Sequence, residues 1–127
     1  MKKLLLIEPD QLSGGLYKDA LEAVGYKVAV ANSAQLALDE LDKQIPDCIL
    51  LEIDMIGHNG LEFLYEFCSH DDWAIVPVIL HTGITPEKFE AMMVDWSELN
   101  VVEYLYKPQT SLNKMQIAVM NTMGAKA

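Results

Sequence analysis

The chain has few basic residues, few cysteines and no long apolar run, and each scarcity excludes a class of protein. Nine basic residues stand against 19 acidic ones, for a net charge of −10. That balance disfavours nucleic-acid binding, because basic residues supply most of its affinity. Two cysteines, Cys48 and Cys68, show neither a paired metal-ligand spacing nor a disulfide framework. No apolar stretch could span a bilayer, so we expect a cytoplasmic protein without membrane contact.

Short apolar runs alternate with helical patterns along the whole chain. With 127 residues, half of them hydrophobic, we expect one domain over residues 1–127. The runs are continuous, which is typical of strands covered on both faces: Leu4–Ile7, Val28–Ala31, Cys48–Leu51, Val76–Leu80 and Val101–Tyr106. Between and after these runs, apolar residues recur with helical spacing. The fourth helical segment is predicted to reach Trp96, because its apolar residues are Phe89, Met92, Met93 and Trp96. The pattern predicts an α/β fold, a five-stranded parallel sheet doubly wound by helices into a (βα)5 three-layer sandwich.

Polar residues follow four of the predicted strands. Glu8, Glu52, Thr82 and Lys107 all fall at or just beyond the carboxyl end of an apolar run. In open parallel sheets this edge collects ligand chemistry. The sequence therefore predicts one pocket that contains two carboxylates, a hydroxyl and an ammonium group.

Four segments carry a resemblance to a known family. They are Leu4-Leu5-Leu6-Ile7-Glu8-Pro9-Asp10, Cys48-Ile49-Leu50-Leu51-Glu52, Val78-Ile79-Leu80-His81-Thr82 and Tyr104-Leu105-Tyr106-Lys107-Pro108. In order and spacing the chain resembles the response-regulator receiver domain, the phosphorylatable switch of two-component signalling, which has a flavodoxin-like fold. The resemblance places Glu52 at the phosphoacceptor aspartate and Pro9 at the main magnesium-binding aspartate. It places Thr82 and Lys107 at the groups that hold the phosphoryl group, and Tyr104 at the switch aromatic.

Three interpretations of Glu52 stay open: a carboxylate that still accepts phosphate, a stand-in for phosphoaspartate, or a structural remnant. The extra methylene of glutamate moves the carboxylate deeper into the pocket, which disturbs the in-line geometry that transfer requires. The same reach predicts an ion pair with Lys107 and an approach to Thr82. Such a pair would imitate the phosphorylated state only in part, because it has less charge and fewer oxygens than a phosphoryl group.

Pro9 weakens the predicted cation site, because magnesium usually relies on one or two well-placed carboxylates. Glu8, Asp10 and Glu52 remain as weak candidate ligands, although Asp10 has an alternative role as the cap of the first helix. Asp54 belongs to the same acidic pocket, and we expect its side chain to be solvated. We therefore expect no metal and no other cofactor, with Mg²⁺ required only if the domain accepts phosphate.

Methionines and other apolar residues are abundant in the last two predicted helices: Met92, Met93, Trp96, Ile117, Met120 and Met123. Adaptable methionines are common at binding surfaces, but they also fill cores. The sequence favours a protein partner on the face of the fourth helix, fifth strand and fifth helix, and a homodimer stays open.

Two functions fit this sequence, and a third ranks below them. The first is an atypical, non-enzymatic receiver that acts as a phosphorylation-independent protein-interaction module. The second is a working Mg-dependent phosphoacceptor that takes phosphate from a histidine kinase. The third, a flavodoxin-like nucleotide or flavin binder, lacks a glycine-rich phosphate loop.

Overall fold

Five parallel strands form the centre of the structure, in the order β2-β1-β3-β4-β5. The computed structural model describes residues 1–55 and 60–124. The strands are β1 (Lys3–Ile7), β2 (Lys27–Ala31), β3 (Cys48–Leu51), β4 (Val78–Thr82) and β5 (Val101–Tyr106). The helices are α1 (Gln11–Glu22), α2 (Ala34–Lys43), α3 (Gly60–Cys68), α4 (Pro86–Ala91) and α5 (Leu112–Met123), with one turn of 3₁₀ helix at Lys107–Gln109. The predicted doubly wound (βα)5 fold is confirmed.

Helices cover both faces of the sheet, which explains why its strands read as continuous apolar runs. One core lies between the sheet and α2, α3 and α4, and its largest buried side chains include Phe63 and Phe67. The other lies between the sheet and α1 and α5, where Leu21, Met115 and Val119 are buried. The three layers hold the carboxyl ends of the strands at one edge.

Side-chain caps fix where four helices begin. Asp10, Ser33, Thr85 and Ser111 each accept a hydrogen bond from a backbone N–H in the first turn of α1, α2, α4 and α5 respectively. The cap role that the sequence offered for Asp10 is confirmed. Among the described residues, no helix has the length and apolar content needed to cross a membrane.

The fourth helix is shorter than predicted. It ends at Ala91 rather than at Trp96, and Met93 adopts a left-handed conformation with φ 53°. Asp95 then accepts a hydrogen bond from the Ser97 hydroxyl at 2.6 Å, a local bond that competes with helix continuation. Phe89 and Trp96 nevertheless stack, with ring centroids 4.8 Å apart, because the chain turns back instead of continuing the helix.

Candidate functional site

The carboxyl edge of the sheet brings the predicted polar residues together. Glu8 follows β1, Glu52 follows β3, Thr82 ends β4, and Lys107 follows β5. Glu8 is 2% exposed and Glu52 is 6% exposed, while Thr82 is fully buried. Buried carboxylates are costly unless they are paired, so the partners of these two groups determine what the site can do.

One ammonium group serves both carboxylates. Lys107 Nζ lies 2.6 Å from Glu8 Oε1 and 2.9 Å from Glu52 Oε1. Burial lowers the pKa of Lys107, but the hydrogen bonds to Glu8 and Glu52 outweigh burial, and the net shift is upward. Lys107 therefore stays charged at neutral pH. The ion pair between Glu52 and Lys107 that the sequence predicted is present.

Both oxygens of Glu52 already accept hydrogen bonds. Besides Lys107, Oε1 accepts from the Gly83 N–H at 3.0 Å, and Oε2 accepts from the Asp54 N–H at 3.1 Å. Burial raises the pKa of Glu52, but the Thr82 hydroxyl, the Lys107 ammonium and the Asp54 N–H together outweigh it and lower the pKa. Glu52 is thus an ionised carboxylate whose lone pairs are engaged by fixed donors.

The remaining acidic candidates point away from a shared cation position. Asp10 is exposed, and its carboxylate caps α1 by accepting hydrogen bonds from the N–H and hydroxyl of Ser13, which lower its pKa. Its own N–H donates to Glu8 Oε2 at 3.1 Å. The Asp54 side chain is exposed, as expected for a solvated loop residue.

Magnesium fits this arrangement poorly. The ammonium of Lys107 lies between Glu8 and Glu52, where a cation shared by the two carboxylates would have to be bound. Over residues 1–55 and 60–124, no group of three or more histidine, cysteine or acidic side chains is arranged to hold a metal ion. The donor set is that of a salt-bridge cluster rather than the near-octahedral oxygen set that magnesium prefers.

Tyr104 lies beneath two further aromatic rings. Its hydroxyl donates to the Ile84 carbonyl, and its ring stacks on Phe89 at 4.2 Å, which in turn stacks on Trp96. Thr82 Oγ1 accepts from the Ile84 N–H at 3.2 Å. Thr82 and Tyr104 therefore bind the same backbone residue, which links the pocket to the α4 side of the sheet.

Comparison with known protein families identifies the family of this chain. The model of the response regulator receiver domain matches residues 4–119. The chain belongs to the response regulator receiver family. It is accordingly a receiver domain of two-component signalling, and the family expected from the four strand-end segments is confirmed.

Two proteins similar to this chain are longer than it is. It is 35% identical over 108 residues to the transcriptional regulatory protein CpxR of Escherichia coli, covering 85% of this chain and 44% of that protein. It is 28% identical over 123 residues to a protein-glutamate methylesterase/protein-glutamine glutaminase of Treponema denticola, covering 95% of this chain and 32% of that protein. The receiver thus spans less than half the length of these relatives.

Solved structures show the same fold. The chemotaxis protein CheY4 of Vibrio cholerae superposes with a TM-score of 0.83 at 21% identity, covering 96% of this chain and 98% of that chain. A receiver domain protein from Clostridium thermocellum superposes with a TM-score of 0.80 at 23% identity, covering 97% of this chain and 94% of that chain. These likenesses support the fold of the receiver.

His81, in β4 beside the pocket, is buried. Its Nδ1 has no hydrogen-bond partner among the described residues. Its ring meets the Tyr17 ring edge-on at 4.7 Å. Burial lowers the pKa of His81 to about 4, and the charge of Lys107 adds to this effect. His58, which the sequence also places near the pocket, lies outside the described residues.

Proposed function

We propose that this receiver is an atypical, phosphorylation-independent protein-interaction module and not an enzyme. The observation that carries the proposal is the Glu52 carboxylate, which is ionised, buried and hydrogen-bonded through both oxygens. A phosphoacceptor must present a free lone pair in line with the incoming phosphorus. Glu52 would first have to break its bonds to Lys107, Gly83 or Asp54.

The Glu52–Lys107 ion pair supplies a permanent substitute for part of the phosphoryl group. It keeps an anion against the Lys107 ammonium, the Thr82 hydroxyl and the Gly83 N–H without any transfer reaction. The poor fit of magnesium favours the same function, because phosphoryl transfer depends on a cation to neutralise the developing charge. The competing function, a Mg-dependent phosphoacceptor, is the outcome that a direct test must exclude.

A backbone amide NMR titration with magnesium, and then with magnesium plus beryllofluoride, tests the proposal. Beryllofluoride mimics the bound phosphoryl group, and we expect no saturable chemical-shift changes in the pocket with either addition. The amides of Glu52, Thr82, Tyr104 and Lys107 report on it directly. A matched control restores the family residues by Pro9→Asp with Glu52→Asp, and this variant should show saturable shifts at the same amides. Saturable binding by the unmodified protein would establish the phosphoacceptor function instead.

The proposed partner surface is the face of α4, β5 and α5. Met93, Val102 and Ile117 are exposed there, whereas Met123 is buried in the core against α1 and the sheet. Met120 is half-buried against the same core. Of the six apolar residues noted in the sequence, Met123 therefore belongs to the core, whereas Met93 and Ile117 are available to a partner.

Exposed acidic side chains outnumber exposed lysines on α4, β5 and α5. The acidic ones are Glu87, Glu90 and Glu103, and the lysines are Lys88 and Lys114. A basic partner complements this face better than a second copy with a net charge of −10. We therefore propose a heterologous protein partner and retain the homodimer as the alternative outcome.

Polar substitution should separate surface from core on α5. Ile117→Ser removes an exposed side chain, so we expect the free energy of unfolding to change by about 0.5 kcal/mol or less. Met123→Ser removes a buried one and should cost about 2–4 kcal/mol. Urea unfolding measures both.

Ile117→Ser should also weaken partner binding or self-association, while Leu12→Ser on exposed α1 should not. Equal effects of the two substitutions on binding would contradict the assignment of this face.

A further inference from the structure

A groove opens at the amino edge of the sheet, at the opposite end of β3 from Glu52. One wall is the end of α2 with its exit loop, residues 41–45, and the other is the loop after α3, residues 70–73. Both segments precede strands, whereas the Glu52 site follows them. The groove is thus independent of the pocket and of the face proposed for the partner.

The groove is lined mainly by polar side chains, with one exposed aliphatic residue and a wall held by aromatic stacking. Ile45 lies on its rim with 46% of its surface exposed, and Leu41 beneath is buried. Trp73 stacks on His70 at 3.9 Å and on Phe67, a core residue, at 6.4 Å. Because the wall is anchored in the core, the groove is preformed and little ordering is needed to bind to it.

The charges along the rim are mostly negative. Asp42, Asp71 and Asp72 line the groove and are exposed, and none of them forms a salt bridge within residues 1–55 and 60–124. The lysine in the rim, Lys43, is paired with Glu40 at 3.3 Å. Three carboxylates therefore share the groove with an exposed aliphatic side chain, and none of the three has a salt-bridge partner in the described part of the chain.

We propose that this groove is a second protein-binding site, which takes a peptide segment with a lysine or arginine beside an aliphatic side chain. The aliphatic side chain packs on Ile45, and the cation lies between Asp42 and the pair Asp71 and Asp72. Charge complementarity selects this occupant over a second copy of the chain, since two copies would bring like charges together. The site works whether or not Glu52 accepts phosphate.

The test is an amide NMR titration with a capped synthetic peptide that alternates lysine and leucine. We expect saturable shifts at Ile45, His70, Asp72 and Trp73. Asp71→Asn with Asp72→Asn should weaken binding by about three- to tenfold, the size expected for two exposed charge pairs. Ile45→Ser should weaken it by about fivefold through lost apolar contact.

Matched controls separate the groove from general attraction to an acidic protein. Asp19→Asn with Glu22→Gln removes the same charge from α1, and Leu36→Ser removes an apolar side chain of similar exposure, 49%. Neither control should change the affinity by more than about twofold. Equal weakening by the controls, shifts that do not saturate, or shifts centred on α4, β5 and α5 would each overturn the proposal. Equal binding of a peptide with glutamate in place of lysine would do so as well.

Discussion

Replacing Lys107 by methionine should lower the free energy of unfolding at pH 7 by about 3–5 kcal/mol, the usual cost of removing one partner of a buried pair. Methionine keeps the apolar length of the side chain but removes the ammonium that lies 2.6 Å from Glu8 and 2.9 Å from Glu52. Two buried carboxylates would then face each other without a counter-charge. One of them should take up a proton, because neighbouring like charges disfavour a second ionisation.

Urea unfolding with and without a compensating substitution separates this electrostatic loss from lost packing. In the Lys107→Met background, Glu8→Gln removes one of the opposed charges, so the double variant should recover part of the loss. The single variant should also approach the wild type in stability as the pH falls and the carboxylates become protonated. A loss below about 1 kcal/mol, or no recovery in the double variant, would show that the cluster is not a coupled buried unit.

Most of the fold followed from local patterns. Continuous apolar runs such as Cys48–Leu51 predicted buried strands, and β3 has those bounds. Alternation with helices then left few topologies, because parallel crossovers are almost always right-handed. Turn chemistry was harder to predict: the spacing of Phe89 and Trp96 fits a helix, yet the same contact arises from a left-handed turn at Met93.

The candidate site could be predicted in its members but not in its bonding. Sequence order placed Glu8, Glu52, Thr82 and Lys107 at one edge, and the reach of glutamate predicted the Glu52–Lys107 pair. It did not reveal that Glu8 shares the same ammonium, because a side-chain position between two strands depends on register and twist. Nothing in the sequence indicated that His81 Nδ1 is buried without a hydrogen-bond partner among the described residues, because that depends on how the side chains pack around the ring.

His81 should make the receiver sensitive to mild acid. Its folded pKa is about 4, below the ordinary value of 6.5, because the imidazole is buried. The folded state therefore prefers the neutral ring, while the unfolded chain takes up a proton more readily. The resulting stability is present above about pH 6.5 and is lost as the pH falls through about 4, by about 3 kcal/mol in total.

Other groups near His81 titrate in different windows, so their contributions can be separated. The lowered pKa of Glu52 gives stability that is present above its ordinary value of 4.5 and lost below it. The raised pKa of Lys107 gives stability that is present below 10.5 and lost as the pH rises through the higher folded value. Between pH 6.5 and 5, neither group changes its charge appreciably, and His81 is the titrating group beside the pocket.

Urea unfolding of the wild type and of His81→Leu across this range tests the assignment. Leucine has a similar volume, suits the apolar surroundings and cannot be protonated, so the variant should lose less stability between pH 6.5 and 5 than the wild type. If wild type and His81→Leu have the same slope, His81 is already protonated or paired in the folded state, and the neutral buried imidazole is excluded. If the slope flattens in the variant, the strand that carries Thr82 also carries an acid-sensitive position, and protonation of His81 destabilises the fold independently of Glu52.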